Sequence, residues 1–257
     1  RIADWKFTSG EKVLPSPYPP RPQECLQFFP RDAELVSYDH EHYFQPGSKC
    51  VINGQHTVMN RRLVSRDFLT VLTVFKPGAL YSLTGIPANE LINYYGDAED
   101  ILGKEVVFVN EQLYYASSYT DMINIVEKYL LTFINRLKRK HHVINDIARL
   151  MIRDGNKLSI DYFIKEACLC RRQFDRKFKE YVGVHPKLFD RIIRIDKAFR
   201  MKNKYSHKDW LSIAVHCGCY DYQHLAKEYK DLTGLAPNEF FFLYTKGGGH
   251  FLGEMET

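Results

Sequence analysis

Arg172, Asp175 and Arg176 share one face of a short basic segment, RRQFDRKFKEYV. Side chains three and four positions apart lie on the same side of an α-helix, so these three can reach one target together. A guanidinium group pairs with the edge of guanine through two hydrogen bonds, and a carboxylate accepts from the amino group of cytosine. The side-chain types on this face therefore suit the base edges of double-stranded DNA. The alternative is a solvated basic face on which Asp175 orients one of the arginines.

A second segment, YQHLAKEYK, repeats this arrangement further along the chain. Tyr222, Gln223 and Lys227 point outward from the predicted helix and form the second set of predicted base contacts. Other side chains beside the two sets suit DNA phosphates, which position a protein without reading sequence. These predicted phosphate contacts are Arg171, Lys179, Lys187, His224 and Lys230.

Each polar segment follows a short helix and a break in the chain. The first short helix ends near Ala167, and the polar helix begins at Arg171. The apolar residues of these two helices share one predicted inner face, which includes Phe163, Phe174 and Phe178. In the second unit Gly218 supplies the turn, where a positive φ is inexpensive for glycine, and Asp221 can cap the next helix. A short helix, a tight turn and a second helix with an exposed polar face are typical of a helix-turn-helix. The sequence thus predicts two such units.

One long helix separates the two units, in HPKLFDRIIRIDKAFRMKNK. Eighteen helical residues span roughly 27 Å, which suits two helices entering neighbouring major-groove segments about one DNA turn apart. The helices predicted for this half are residues 142–154, 159–167, 171–182, 186–203, 209–216, 221–233 and 236–244.

These segments resemble the AraC/XylS-type transcription regulators. GCYDYQHLAKEYK followed by GLAP matches one motif of that family, and FKEYVGVHPKLFDRIIRIDKA matches another. The chain departs from the family where CLC replaces the glycine and serine favoured in the first turn. The resemblance implies operator DNA and RNA polymerase as partners, and it makes a homodimer plausible. It also implies which outward side chains contact bases, namely Arg172, Asp175 and Arg176 in the first unit and Tyr222, Gln223 and Lys227 in the second.

The N-terminal half has the pattern of short strands, followed by helices. ECLQFF, ELVSY, KCVIN and RDFLTVLTVF predict an antiparallel sheet or small barrel, with a hairpin at Asn53-Gly54. A long amphipathic helix is predicted for 118–140. FKPGALYSLTGIPANEL resembles a cupin-like sensor domain, which implies a small-molecule effector. The predicted fold class is α+β, with a sensor and dimerisation domain at 1–140, a DNA-binding domain at 141–244 and a flexible tail at 245–257.

Charge and composition agree with this division. Residues 1–135 carry four more acidic than basic side chains, whereas residues 136–245 carry ten more basic than acidic ones. Such a concentrated positive charge is typical of a polyanion binder. No membrane-spanning run or signal peptide is recognisable, and six cysteines are too few for a disulfide scaffold at this length, so a reduced, cytoplasmic protein is expected.

Two other classes of protein compete with this interpretation. His40 and His42 form a His-x-His of the kind seen in metal cupins, so one alternative is a metal-dependent enzyme with a helical appendage. The other is a ligand-binding or adaptor protein whose basic helices meet an acidic surface. We expect no cofactor and no enzymatic activity, because no catalytic or phosphate-binding motif is present. Four cysteines near the two turns, at 168, 170, 217 and 219, are interpreted as small buried residues rather than zinc ligands, with redox sensing as the alternative.

Overall fold

The computed structural model describes residues 1–7, 13–38, 47–134, 137–138, 140–155 and 157–247. Antiparallel sheets form the first part of the chain and helices form the last part, which confirms the predicted α+β class. The strands are β1 (Ile2–Lys6), β2 (Ser16–Tyr18), β3 (Glu24–Phe28), β4 (Leu35–Ser37), β5 (Cys50–Asn53), β6 (Asn60–Leu63), β7 (Asp67–Phe75) and β8 (Tyr95–Asp97).

The helices include four in the N-terminal half, α1 (Ala79–Thr84), α2 (Glu99–Leu102), α3 (Glu105–Tyr114) and α4 (Tyr119–Ile134), with a 3-10 turn at Ala88–Leu91. The C-terminal half contains α5 (Val143–Asp154), α6 (Ile160–Glu166), α7 (Arg171–Val182), α8 (Pro186–Lys204), α9 (Trp210–His216), α10 (Tyr222–Thr233) and α11 (Pro237–Lys246). Each helix of the C-terminal half differs from its predicted boundaries by no more than two residues. Within the described ranges, no helix is long and apolar enough to cross a membrane.

Two antiparallel sheets organise the N-terminal half, in the orders β1-β7-β3-β5-β8 and β2-β6-β4. Alternation along β3 separates two environments. Leu26 and Phe28 pack into the apolar core formed with α3 and α4. Cys25 and Gln27 point the other way, where Gln27 donates to Thr70 Oγ1 at 3.2 Å beside a small cavity of about 30 Å³. One face of the larger sheet is therefore apolar, whereas the other carries polar side chains together with a second apolar cluster that includes Val51 and Phe68.

The hairpin predicted at Asn53-Gly54 is wrong. Asn53 pairs with Cys25 of β3 and with Tyr95 of β8, while β6 pairs with β2 and β4. Glycine is required at position 54 for another reason, because a side chain there would overlap the backbone carbonyl of Leu91. The Asn-Gly pair thus allows a close approach by the 3-10 turn.

Two other boundaries differ from the prediction. The helix predicted for 118–140 spans only Tyr119–Ile134. Lys138 lies beyond its end, where its backbone N–H donates to Ser82 O at 2.8 Å instead of to a carbonyl of this helix. The tail predicted from residue 245 starts later, since α11 continues to Lys246. The remaining predicted tail and the His-x-His at 40 and 42 lie outside the described residues.

A buried arginine joins the sheets to the helical half. Arg21 lies 3.7 Å from Asp196 of α8, and both side chains are buried. Its guanidinium also packs over the rings of Tyr18 and Phe199, 4.6 and 5.3 Å from their centroids. Arg21 thus anchors β2 to the helix that separates the two predicted DNA-reading helices.

The N-terminal half also contacts both helix-turn-helix units directly. Tyr81 of α1 donates to Glu180 Oε1 of α7 at 2.8 Å. The backbone N–H of Met59 donates to Leu232 O of α10 at 3.2 Å. The position of each reading helix is therefore tied to the sheets.

A buried carboxylic acid lies where the two halves meet. Glu24 of β3 has neither carboxyl oxygen hydrogen-bonded within the described part of the chain, and burial raises its pKa to about 8. It lines a narrow cavity with Phe75 of β7 and Phe189 of α8. Its protonation is therefore coupled to the folding of this interface.

Replacing Glu24 by glutamine is expected to flatten the pH dependence of stability. The carboxyl of the folded protein keeps its proton up to about pH 8, whereas the ordinary pKa of glutamate is 4.5. The folded state therefore binds more protons between these values, and wild-type stability falls as pH rises through that window. The difference in unfolding free energy between the variant and the wild type should shift in favour of the variant by on the order of 2 kcal/mol between pH 5 and pH 8. Urea denaturation at the two pH values measures this shift.

Glu90→Gln is the control for this experiment, because Glu90 is exposed. It should leave the pH dependence of unfolding as it is in the wild type. An equally steep decline in the Glu24 variant would contradict the assignment.

Candidate DNA-binding surface

Helices α6 and α7 form the first helix-turn-helix unit. Phe163 of α6 and Phe174 and Phe178 of α7 are fully buried in one core. The side chain of Ser159 caps α6 by accepting from the backbone N–H of Tyr162 at 3.2 Å. The predicted inner face and the predicted start of α7 at Arg171 are both present.

An unusual turn connects these helices. Cys168 has a φ of 52°, a left-handed conformation that few residues other than glycine adopt. Cys170 is the N-cap of α7, with its backbone N–H donating to Gln173 Oε1 at 3.4 Å. The first turn therefore has a left-handed residue, as a glycine turn does, without containing glycine.

The outward face of α7 presents the first set of predicted base contacts. Arg172 and Arg176 are exposed, and neither has a hydrogen bond or ion pair within the described ranges. Asp175 is half-buried between them and forms no described ion pair with either arginine. Within the described residues, neither guanidinium group is thus held by an internal hydrogen bond or ion pair.

The predicted phosphate contacts of the first unit differ in their surroundings. Arg171 pairs with Asp161 of α6 at 2.7 Å, and both side chains are largely exposed. Lys179 and Lys187 are exposed and have no partner among the described residues. An exposed ion pair is worth little, so a phosphate can displace Asp161 from Arg171.

Helices α9 and α10 form the second unit. Gly218 has a φ of 80°, and Asp221 Oδ1 accepts from the backbone N–H of His224 at 2.8 Å. The structure therefore contains the predicted glycine turn and the predicted cap. Leu225 and Tyr229 are fully buried against α8 and α11, which turns the opposite face of α10 outward.

The outward face of α10 is less uniform than that of α7. Gln223, Lys227 and Lys230 are exposed and lack a partner in the described structure. Tyr222 is half-buried and packs against the core of the second unit, so only part of its side chain is available. His224 is half-exposed, with Nε2 3.5 Å from Glu228 Oε1.

Ion pairs hold the back of α10 on α8. Arg194 donates to both carboxylate oxygens of Glu228, at 2.6 and 2.7 Å, and also to Asp190 at 2.8 Å. Arg191 pairs with Asp231 at 2.7 Å. The long helix thus supports the second reading helix through charged contacts as well as through its apolar core.

Sequence reasoning missed two exposed side chains on this surface. Tyr220 is 92% exposed in the turn immediately before the cap of α10. Gln173 is exposed in the first turn of α7. The sequence does contain a signal for Tyr220, which lies between the glycine turn and the helix cap. A bulky side chain is difficult to bury at such a turn, so exposure could have been predicted.

The cysteine prediction is right for one turn and wrong for the other. Cys217 and Cys219 are buried, and burial raises the pKa of each thiol to about 11. Cys168 and Cys170 are exposed. No group of three or more potential metal ligands occurs in the parts of the chain that the structure describes.

Comparison with known proteins first concerns sequence. No family model matches the chain. A curated relative is the HTH-type transcriptional regulator ArgR of Pseudomonas aeruginosa, 27% identical over 114 residues. That match covers 44% of this chain and 34% of ArgR, so the chain spans about a third of its relative's length.

Similarity in structure extends over nearly the whole chain. An apo single-residue variant of ToxT from Vibrio cholerae aligns with a TM-score of 0.53 and 13% identity, covering 95% of this chain and 96% of ToxT. The chain has the fold of ToxT. Wild-type ToxT bound to an unsaturated fatty acid aligns with a TM-score of 0.50 and 15% identity, covering 95% of each chain. The predicted α+β architecture, with a β-rich N-terminal half and C-terminal helix-turn-helix units, is therefore confirmed as a fold.

Proposed function

We propose that the chain is a sequence-specific DNA-binding transcription regulator of the AraC/XylS type, acting in the cytoplasm and without enzymatic activity. Two helix-turn-helix units joined by one long helix carry this proposal, because each exposes polar side chains that have no internal partner in the described structure. The ToxT fold and the similarity to ArgR support it. Residues 1–140 sense a signal, and residues 141–244 bind DNA.

In this scheme α7 and α10 enter consecutive major grooves on one side of the DNA. The 19 residues of α8 measure about 28 Å, close to the 34–36 Å of one DNA turn. The proposed base contacts are Arg172, Asp175, Arg176, Tyr222, Gln223 and Lys227. The proposed phosphate contacts are Arg171, Lys179, Lys187, His224 and Lys230.

Selection of duplexes from a random-sequence pool by the full chain tests this function. The expected product is a two-part motif with its halves about one helical turn apart. Arg172→Ala/Arg176→Ala should lose the half read by α7 and keep the half read by α10. Lys76→Ala/Lys104→Ala in the N-terminal half is the control, because it removes the same charge from exposed side chains outside the reading helices. Recovery of unenriched sequences, with binding that only weakens with salt, would overturn the proposal.

A groove between the two halves is the proposed effector site. Its volume is about 590 Å³, within the range of small-molecule pockets. Ile152, Ile193 and Met201 supply apolar walls, and Lys197 of α8 supplies positive charge. Arg200 also lines the groove, but it is paired with Asp196 of the same lining at 2.8 Å. An anion with an apolar tail matches this lining, and ToxT has been solved with an unsaturated fatty acid bound.

Replacing Lys197 by alanine is expected to weaken binding of a long-chain fatty acid such as oleate about ten-fold or more. Lys197 is half-buried and has no partner within the described ranges, so its ammonium group can pair with a carboxylate. A hydrogen bond to a charged group contributes about 1.5–3 kcal/mol. Isothermal titration calorimetry of the full chain measures this, with exposed Lys165→Ala as the control. Equal affinity of the two variants would exclude Lys197 as the carboxylate partner.

Further partners follow from the N-terminal half and from the family resemblance. Met122, Val126 and Tyr129 of α4 are buried against the sheet, whereas Ile123 and Leu131 of the same helix are about half-exposed. We propose that a second copy of the chain covers these exposed side chains in a homodimer, which analytical ultracentrifugation tests.

RNA polymerase is the proposed protein partner on the promoter, and this proposal rests on the family resemblance alone.

A further inference from the structure

The first helix-turn-helix unit has two exposed thiols in its turn. Cys168 and Cys170 are exposed, whereas the other cysteines, Cys25, Cys50, Cys217 and Cys219, are all buried. The second unit carries the same Cys-x-Cys spacing at its own turn, yet there both thiols are enclosed. The chain therefore contains an exposed pair and a buried control pair, one near the turn of each unit.

The exposed pair lies in the turn that leads into α7. Cys170 is the N-cap of this 12-residue helix, and Cys168 lies two residues before it in the left-handed conformation. The sulfur of Cys170 is therefore at the start of the proposed reading helix, with a second exposed thiol two residues away. Exposure then leaves this sulfur open to reagents in solution, unlike the sulfurs of Cys217 and Cys219.

We propose that Cys168 and Cys170 form a thiol modification site that exchanges with low-molecular-weight disulfides, and that this exchange switches off DNA reading by α7. The Cys170 thiolate attacks one sulfur of a small disulfide, forms a mixed disulfide and releases one small thiolate. The Cys168 thiolate attacks the Cys170 sulfur, releases the second small thiolate and closes a Cys168–Cys170 bond. The two cysteine protons end on the two released thiols, so the protein is oxidised and the small disulfide is reduced.

The spacing permits this bond but strains it. Consecutive Cα atoms are about 3.8 Å apart, so those of residues 168 and 170 lie within roughly 7.6 Å of each other. The usual Cα–Cα distance across a disulfide, about 4.4–6.8 Å, lies below that limit, so the bond forms only when the turn between the two residues is bent. A strained, exposed disulfide is readily reduced again, which makes the modification reversible.

Modification at this place reaches the predicted DNA contacts directly. The Cys170 carbonyl accepts the first helical hydrogen bond of α7, from the backbone N–H of Phe174 at 2.9 Å. A bond to Cys168 pulls on this N-cap and displaces Arg172, while a mixed disulfide places an added group beside it. The inference rests on the proposed function, because it assumes that α7 reads DNA.

The test treats the full chain with glutathione disulfide and then alkylates the remaining thiols for mass spectrometry. Modification is expected at Cys168 and Cys170 and not at the four buried cysteines. Affinity for the selected operator, measured by fluorescence anisotropy, should fall at least ten-fold and return with dithiothreitol. Cys168→Gly/Cys170→Ser should bind the operator as the reduced wild type does and ignore the oxidant. Glycine suits the left-handed φ at 168, and serine is a good N-cap at 170.

Each other outcome has a definite meaning. Unmodified Cys168 and Cys170, or equal modification of the buried pair, would overturn the site. Confirmed modification with unchanged operator affinity would overturn the switch but leave the proposed function intact. A reduced wild type without sequence preference would overturn the proposed function and the switch, while mass spectrometry would still decide whether the thiols react.

Discussion

Truncation of Glu34 to alanine is expected to lower the free energy of unfolding by about 3–5 kcal/mol. Glu34 is fully buried between the two sheets, where its Oε1 accepts from Arg62 Nη1 at 2.8 Å and from the Tyr95 hydroxyl at 3.2 Å. Arg62 is itself buried and lies over the ring of Tyr18, 3.9 Å from its centroid. Removing the carboxylate leaves a guanidinium that is enclosed and has lost its counter-charge.

A double variant separates this penalty from the net value of the ion pair. Glu34→Leu/Arg62→Leu removes both charges and should be clearly more stable than Glu34→Ala, because no buried charge remains unpaired. Exposed Glu90→Ala should change stability by no more than about 0.5 kcal/mol. Guanidinium denaturation of the wild type and the three variants provides the comparison. A loss below about 1 kcal/mol in Glu34→Ala would show that the arginine finds another partner or water.

Replacement of Arg176 by alanine should weaken operator binding by about 1–3 kcal/mol and relax preference at one base position. Lys179→Ala, on the same helix, should instead weaken binding to all sequences about equally and reduce the salt dependence by about one ion. The difference arises because a guanidinium recognises a base edge through two fixed hydrogen bonds, whereas an ammonium meets a phosphate as a point charge.

These two variants are matched controls for each other. Both side chains are exposed and have no internal partner in the described structure, so neither change should alter thermal unfolding appreciably. Quantitative anisotropy against the operator and its single-base variants gives the preference at every position. Unchanged base preference in Arg176→Ala would remove Arg176 from the reading set.

Local signals made the helical half predictable. Gly218 and Asp221 mark the break and the cap of α10 by their own conformational preferences, which act within a few residues. The structure contains both. Apolar spacing likewise predicted the burial of Phe174 and Phe178, because a helix repeats every 3.6 residues whatever its surroundings.

Contacts between distant segments were not predictable in this way. Asn53-Gly54 has the local signature of a hairpin, yet its neighbours are β3, β8 and the 3-10 turn. Pairing of Arg21 with Asp196 joins residues far apart in the chain and has no periodic signal. The exposure of Cys168 and Cys170 also depended on how the first turn lies on its core, since the same spacing at the second turn is buried.

The hydrogen bonds from Tyr81 to Glu180 and from Met59 to Leu232 have a thermodynamic consequence for an effector-controlled regulator. Because the sheets contact both reading helices, a ligand that prefers one arrangement of this interface changes operator affinity by some factor. Linkage requires the operator to change the ligand's affinity by the same factor. Under the proposed function, the promoter is itself an effector of the sensor half, and the concentration of signal molecule that occupies the protein differs on and off the DNA.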